Sequence, residues 1–272
     1  MNINITTYKS AIIAMLCVVA SCDLIDYHPY DVRISGETDV NATNIERIEQ
    51  QCQGKESVKV AVIGDSHRWY DELQYFVKTV NRRGDIDFVI HDGDLSEYGY
   101  TQEFTWARDY LSDLNVPYVA LIGNHDCLGT GRDAFRAVYG ATNFAFIAGR
   151  VKFVCLNTNA LEYDYSEPIP DFDFITAQAT DRMGEFDCTV GVMHARPGDD
   201  VFNNNVDDVF HYYMTQLPGL ICCINGHGHS LKHDDLMGDG IIYHQSTSLD
   251  DRIYLLFTFN NDGTYSYEEV AF

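Results

Sequence analysis

At 272 residues, with 46% apolar and 22% charged side chains, the chain has the composition of a folded domain of ordinary size, not of a disordered or fibrous protein. Lys and Arg total 18 against 41 Asp and Glu, for a formal net charge of −23. A surface this acidic repels polyanions, so duplex DNA and long RNA are not expected as partners, while a small phosphorylated substrate stays open because bound dications reverse the local field.

The chain begins with Lys9 ahead of an apolar run over residues 11–20, too short to stay in a bilayer as a helix, followed by the small residues Ala20 and Ser21 and then Cys22. This is a signal-peptide layout. Val19-Ala20-Ser21-Cys22 resembles the lipobox of bacterial lipoproteins, which implies cleavage before Cys22 and lipidation of its thiol. The expected organisation is a signal peptide over 1–21, a lipidated cysteine with a tether and the start of the domain over 22–57, and one domain over 58–272. An exported lipoprotein held on the cell envelope by acyl chains alone is the matching location. Six further cysteines, Cys52, Cys127, Cys155, Cys188, Cys222 and Cys223, show no CxxC spacing, so a cysteine zinc site is not expected.

A short helix is expected around residues 44–51, and from 58 the chain alternates strand and helix: strand 58–63, helix 69–82, strand 88–90, helix 102–114, strand 118–122. VKVAVI reads as a strand buried on both faces, and Leu73, Phe76, Val77 and Val80 form one helical stripe. Such alternation predicts βαβ units and a mainly parallel sheet. Residues 144–147 and 151–156 predict an antiparallel pair. There follow a helix over 173–182, a strand over 189–193, a helix over 206–217 and a strand over 220–224. Strands over 241–244, 253–259 and 265–270 complete the chain, the last two joined at Asn260-Asn261-Asp262-Gly263.

Five polar blocks sit directly after five of these strands: Asp65-Ser66-His67, Gly93-Asp94, Gly123-Asn124-His125-Asp126, His194, and Gly226-His227-Gly228-His229. Within each half of the chain they recur about every 30 residues, the length of one βαβ crossover, so each returns to the same edge of the sheet. That edge is the carboxyl end of the strands, where α/β sheets place their sites. Imidazole and carboxylate together suit zinc, iron or manganese. Two histidines separated by one glycine reach two different ions, and one carboxylate bridges ions about 3.5–4 Å apart.

In this order, D-x-H, G-D, G-N-H-[D/E], a lone His after a strand and G-H-x-H resemble the signature of the calcineurin-like, purple acid phosphatase-like metallophosphoesterases, spanning Asp65 to His229. The resemblance implies a four-layer α/β/β/α sandwich with two mixed sheets. It assigns Asp65, His67 and His229 to one metal, Asn124, His194 and His227 to another, and Asp94 to both. The implied cofactors are two divalent or trivalent ions of manganese, iron or zinc. The implied reaction is attack on phosphorus by a hydroxide that both ions activate. His125 is the candidate general acid, and Asp126 either orients or charges it or stabilises the loop. Ser66 is not expected to be a nucleophile. Arg68, Arg132 and Arg196 flank the blocks as candidates to grip a substrate phosphate, and Trp69, Tyr70, Tyr98 and Tyr100 as an aromatic wall. His91, His211, His233 and His244 match no block and are expected to be structural. The expected substrate is a small phosphate monoester, diester or nucleotide; the alternative is a non-catalytic surface lipoprotein using the fold as a binding scaffold.

Overall fold

The computed structural model describes residues 28–163 and 166–272. The signal-peptide reading and Cys22 fall outside them. The described chain forms helix α1 (Val40–Cys52), strand β1 (Ser57–Ile63), α2 (Tyr70–Arg83), β2 (Phe88–His91), α3 (Thr101–Ser112) and β3 (Tyr118–Ala120). It continues with α4 (Gly131–Tyr139), β4 (Phe144–Ala148), β5 (Val151–Leu156), α5 (Phe172–Gln178), β6 (Cys188–Met193) and α6 (Asp207–Thr215). Strands β7 (Leu220–Asn225), β8 (Lys232–Asp234), β9 (Ile242–Gln245), β10 (Ile253–Asn260) and β11 (Tyr265–Ala271) close it. None of the described helices is long and apolar enough to cross a membrane.

Two mixed sheets result, in orders β11-β10-β1-β2-β3 and β4-β5-β6-β7-β9-β8. The pairs β1–β2, β2–β3, β5–β6, β6–β7 and β7–β9 are parallel, and the remaining pairs are antiparallel. Alternation along β1 shows how the layers are divided. Val58, Val60 and Val62 point between the sheets to meet Phe88, Phe153, Val190 and Phe257, while Ala61 and Ile63 point outward to the stripe Leu73, Phe76, Val77 and Val80 of α2. A third cluster joins Val154, Met193 and Tyr243 of the second sheet to Ile175 of α5 and Phe210 and Met214 of α6. Three apolar interfaces separate four layers, as the resemblance implied. Each buried Val or Phe contributes about 1.5–3 kcal/mol by leaving water.

Helix α2 carries Asp71 and Glu72 in its first turn, Arg82 and Arg83 in its last, and Gly84 as a left-handed cap at φ 71°. Both charge placements complement the helix dipole, so its ends fall close to the expected ones. Helix α1 buries Ile48 and Cys52 between the sheets, and Asn41 bonds Ala120 through both side-chain amide and carbonyl, so the segment ahead of β1 is built into the domain. Helix α5 stops earlier than the pattern suggested. The buried Lys152 ammonium takes the carbonyls of Gln178 (3.0 Å) and Asp181 (2.8 Å) just beyond its end. Helix α4, which packs Ala134, Phe135 and Val138 on one face, and the short edge strand β8 are elements that the sequence reading did not contain. The described cysteines are six buried free thiols.

Candidate metal centre

Every one of the five blocks leaves its strand at the same rim. Asp65 follows β1, Asp94 follows β2, Asn124 follows β3, His194 follows β6 and His227 and His229 follow β7. The turns there are tight. Asp65 (φ 48°), His67 (36°), Asp94 (59°), His227 (69°) and His229 (45°) occupy the left-handed region, and they are five of the eight described non-glycine residues that do. Side chains other than glycine take this conformation at a cost, which concentrates where a site needs it. Gly93 adopts φ 120°, and a Cβ there would stand 2.4 Å from His194 Nδ1. The glycine is what lets the Asp94 turn and His194 lie against each other.

The expected residues converge. His229 Nε2 lies 3.1 Å from Asp65 Oδ1, and His67 Nε2 lies 3.9 Å from the same oxygen. Asn124 Oδ1 lies 3.0 Å from both His194 Nε2 and His227 Nδ1. Between the two groups, Asp94 Oδ2 stands 3.6 Å from His67 Nε2 and 3.3 Å from His194 Nε2. Three overlapping trios, Asp65–His67–His229, His67–Asp94–His125 and Asp65–Asp94–His194, each bring ligand atoms within 4.8 Å of one another.

The donor set fits metal ions on a further count. Both ring nitrogens of His67 are buried without any hydrogen-bond partner, and the buried Asp65 Oδ1 faces the His229 ring nitrogen at 3.1 Å. Buried polar atoms are normally paired, so unpartnered imidazole nitrogens among these carboxylates mark a place for something that bonds them. Four carboxyl groups are fully enclosed here: Asp65, Asp92, Asp94 and Asp126. Burial works against a charge on His194, yet the Asp94 carboxylate holds it protonated up to about 10. His229 is likewise raised, first by its bond to Asp65. Burial of Asp126, with the neighbouring charge of Asp94, pushes its carboxyl up to about 6. The pocket concentrates negative charge and draws positive charge into it. Protons or dications satisfy that demand.

Backbone carbonyls set the imidazole tautomers. His194 donates Nδ1–H to the Asp92 carbonyl at 3.0 Å, which turns Nε2 toward Asn124 and Asp94. His125 donates Nδ1–H to the Glu97 carbonyl at 2.9 Å, and its main-chain N–H donates to Asp94 Oδ1 at 2.9 Å. Asp126 makes no such contact with the His125 ring. Its carboxylate accepts from the N–H groups of Leu95 (3.2 Å), Ser96 (2.8 Å) and Gly123 (2.9 Å) and from Ser96 Oγ–H (2.8 Å). Of the two roles open to it, these bonds support the loop-stabilising one: they staple the Asp94 and Asn124 turns together.

The arginines are already engaged. Arg68 pairs with Glu97 at 2.9 Å, the buried Arg196 with Asp234 at 2.8 Å, and Arg132 with Glu167 at 4.0 Å. Tyr70 stacks on Tyr110, and Tyr98, Tyr100 and Tyr30 form a row of neighbouring rings, as ordinary packing would have them. The remaining histidines sit in structural pairings: His91 with Ser66, His211 with Tyr243 and Asp239, His233 with His244. Ser66 is thereby occupied by His91.

Four residues at the site escaped sequence reasoning. Asp92 accepts from Ser246 Oγ–H at 2.8 Å and fills the space that side chains at Gly64 and Gly226 would need. Glu97 lies 3.5 Å from His67 Nδ1, and Asp200 2.8 Å from His227 Nε2. Asp92 and Glu97 flank the Gly93-Asp94 block and were findable there; Ser246 and Asp200 carry no local signal.

A family model described as calcineurin-like phosphoesterase matches residues 58–231. The chain belongs to the calcineurin-like phosphoesterase family. No curated protein matches the chain. Among solved structures, this phosphoesterase is similar to a purple acid phosphatase from yellow lupin (Lupinus luteus) seeds, with TM-score 0.60 and 13% identity over 80% of this chain and 52% of that one. It is also similar to a dimetal phosphatase from Danio rerio, with TM-score 0.58 and 10% identity over 79% and 98% of the two chains. A 5′-nucleotidase from Candida albicans aligns with TM-score 0.52 and 13% identity over 79% and 51%. The chain spans about half the length of the lupin enzyme. Identities this low show a shared fold, and the family places the phosphoesterase among hydrolases of phosphoric esters.

Proposed function

We propose that Asp65, His67 and His229 hold one metal ion, that Asn124, His194 and His227 hold a second, and that Asp94 touches both. The carrying observation is the position of Asp94 Oδ2 between the two imidazole groups, 3.6 Å from His67 and 3.3 Å from His194. Ions held there supply Lewis-acid charge for phosphoryl oxygens and lower the pKa of water. The chain's own contributions are positional. Asp94 fixes the spacing of the two ligand groups and, through the His125 main chain, the height of the Asn124 turn. His125 has Nδ1 committed to a carbonyl, so Nε2 is the atom that passes a proton to the leaving alkoxide.

The substrate in this reading is a small mono- or diester or a nucleotide. The acidic exterior disfavours long polyanions, and no described arginine beside the site stands clear of a carboxylate. A 5′-nucleotidase and a purple acid phosphatase share the fold, which supports a small phosphate ester as the substrate class. Metal analysis of the purified chain followed by a panel of mono- and diesters tests this. A chain that binds neither manganese, iron nor zinc, and hydrolyses none of the panel, refutes it.

The location is proposed on Val19-Ala20-Ser21-Cys22 alone: export, cleavage before Cys22 and anchoring by acyl chains on the cell envelope. Expressed in a bacterial host, the chain should partition into the detergent phase, and Cys22→Ala should move it to the aqueous phase. Equal partitioning of the two would exclude the anchor.

A further inference from the structure

Asp200 belongs to none of the five blocks, lies on the loop between β6 and α6, and has 87% of its side chain in solvent. Exposed aspartates ordinarily sample many orientations, but this one is held. The adjacent Val201 and Phe202 are buried in the second sheet's helical layer, and Leu161 N–H donates to the Val201 carbonyl. On its other side, Arg196 N–H donates to Asp199 Oδ2 at 2.9 Å, and Asn204 Nδ2–H to the Asp199 carbonyl at 2.7 Å. This anchored loop places Asp200 Oδ1 2.8 Å from His227 Nε2.

The opposite face of the His227 ring looks into the site. Nδ1 lies 3.0 Å from Asn124 Oδ1, and the ring itself packs at a near right angle to His194, centroids 5.4 Å apart. A carboxylate accepts only, so the 2.8 Å contact requires the proton on Nε2. That places the Nδ1 lone pair toward Asn124 and His194, the form in which an imidazole ligates a cation. With Asp200 absent, the nearest acceptor is Asn124 Oδ1 on the Nδ1 side, which favours the opposite tautomer and blocks the ligating nitrogen. His194 obtains the same fixation from the Asp92 carbonyl, and His227 has no main-chain acceptor on its outer nitrogen among the described contacts.

We propose that Asp200 is the positioning residue for His227, fixing its tautomer and ring orientation so that Nδ1 is presented to the ion shared with Asn124 and His194; this rests on the reading that those three residues form a metal site. An outer carboxylate on a ligating imidazole raises its basicity and governs affinity, with losses of about 10- to 100-fold when it is removed.

The test is calorimetric titration of the full chain, stripped with chelator, with Mn²⁺ alone and with Zn²⁺ alone. Wild type should take up two equivalents. Asp200→Asn should bind one of them about 10- to 100-fold more weakly and the other unchanged, with Asp200→Glu recovering part of the loss. Asp173→Asn, an exposed charge on α5, removes the same charge and should bind both ions like wild type. Long-range ¹H–¹⁵N spectra of the metal-free chain should show His227 protonated on Nε2 in wild type and shifted toward Nδ1 in Asp200→Asn. Wild-type affinity and an unmoved His227 signal in Asp200→Asn would overturn the proposal and leave the metal site standing. A wild type that binds no ion at all would instead remove the site on which it rests, and equal weakening of both ions, or in Asp173→Asn as well, would reduce Asp200 to a general charge effect and overturn it too.

Discussion

Asp126 and Ser96 are joined by two bonds to one oxygen: the Ser96 N–H and its Oγ–H both donate to Asp126 Oδ1 at 2.8 Å. The second carboxylate oxygen takes Leu95 N–H and Gly123 N–H, so one side chain clamps the turn that carries Asp94 to the turn that carries Asn124. Two halves of the proposed dimetal site are thus tied beneath their ligands.

Asp126→Ala therefore removes the acceptor of three buried N–H groups and one hydroxyl. An unsatisfied buried donor costs about 1–3 kcal/mol, so a loss of about 3 kcal/mol or more in unfolding free energy is expected. Urea unfolding of the metal-free chain measures it. A loss under about 1 kcal/mol would mean that the clamp is replaced by water or is not needed.

His125 and Asp94 separate chemistry from metal binding. His125→Ala should lower turnover by about 10²–10⁴-fold with metal content unchanged. Asp94→Asn should weaken both ions together, because its Oδ2 faces His67 and His194 alike. Metal content by mass spectrometry alongside steady-state rates decides each, and loss of a single ion in Asp94→Asn speaks against the shared role.

Chelation should destabilise the fold itself. Asp65 and Asp94 are buried with Asp92 beside them, and cations offset that charge. Each ion bound at 100 times its dissociation constant adds about 2.7 kcal/mol. Thermal melting with and without chelator should show a clear fall in Tm, reversed by Mn²⁺ or Zn²⁺. An identical Tm in both conditions counts against occupied sites.

A pH dependence comes from His244, outside the site. Burial, and then the neighbouring His233, push it down from 6.5 to about 3. The depressed value means that the unfolded chain binds the proton more readily than the folded one. Its contribution is intact above about pH 6.5 and is lost as pH falls from there toward 3, by at most about 1.4 kcal/mol per pH unit. His244→Gln should flatten the fall in Tm between pH 6.5 and 5. An unaltered slope would show that His244 does not titrate differently on folding.

The amino-acid sequence by itself determined the strands, the rim and the types of the candidate ligands. VKVAVI, FVIH and LICCIN are apolar enough to be buried on both faces, and each runs straight into a polar block, so backbone geometry alone carries the blocks to one edge. Asp65, His67, Asp94, Asn124, His194, His227 and His229 were legible because their order and spacing repeat a known signature. Helix α4 was missed although Ala134, Phe135 and Val138 share one buried face, and so was β8, a three-residue edge strand that exists only because β9 pairs with it.

What only the tertiary structure decided is who stands behind the candidate ligands. Asp126 was open between serving His125 and stabilising its loop, and the N–H groups of Leu95, Ser96 and Gly123, which have no other acceptor among the described contacts, take its carboxylate. Asp200 meets His227 across 27 residues and Ser246 meets Asp92 across 154. Hydrogen-bond partners of this kind depend on where separate loops land in space, and loop placement follows from packing of buried neighbours such as Phe202, which no local pattern encodes.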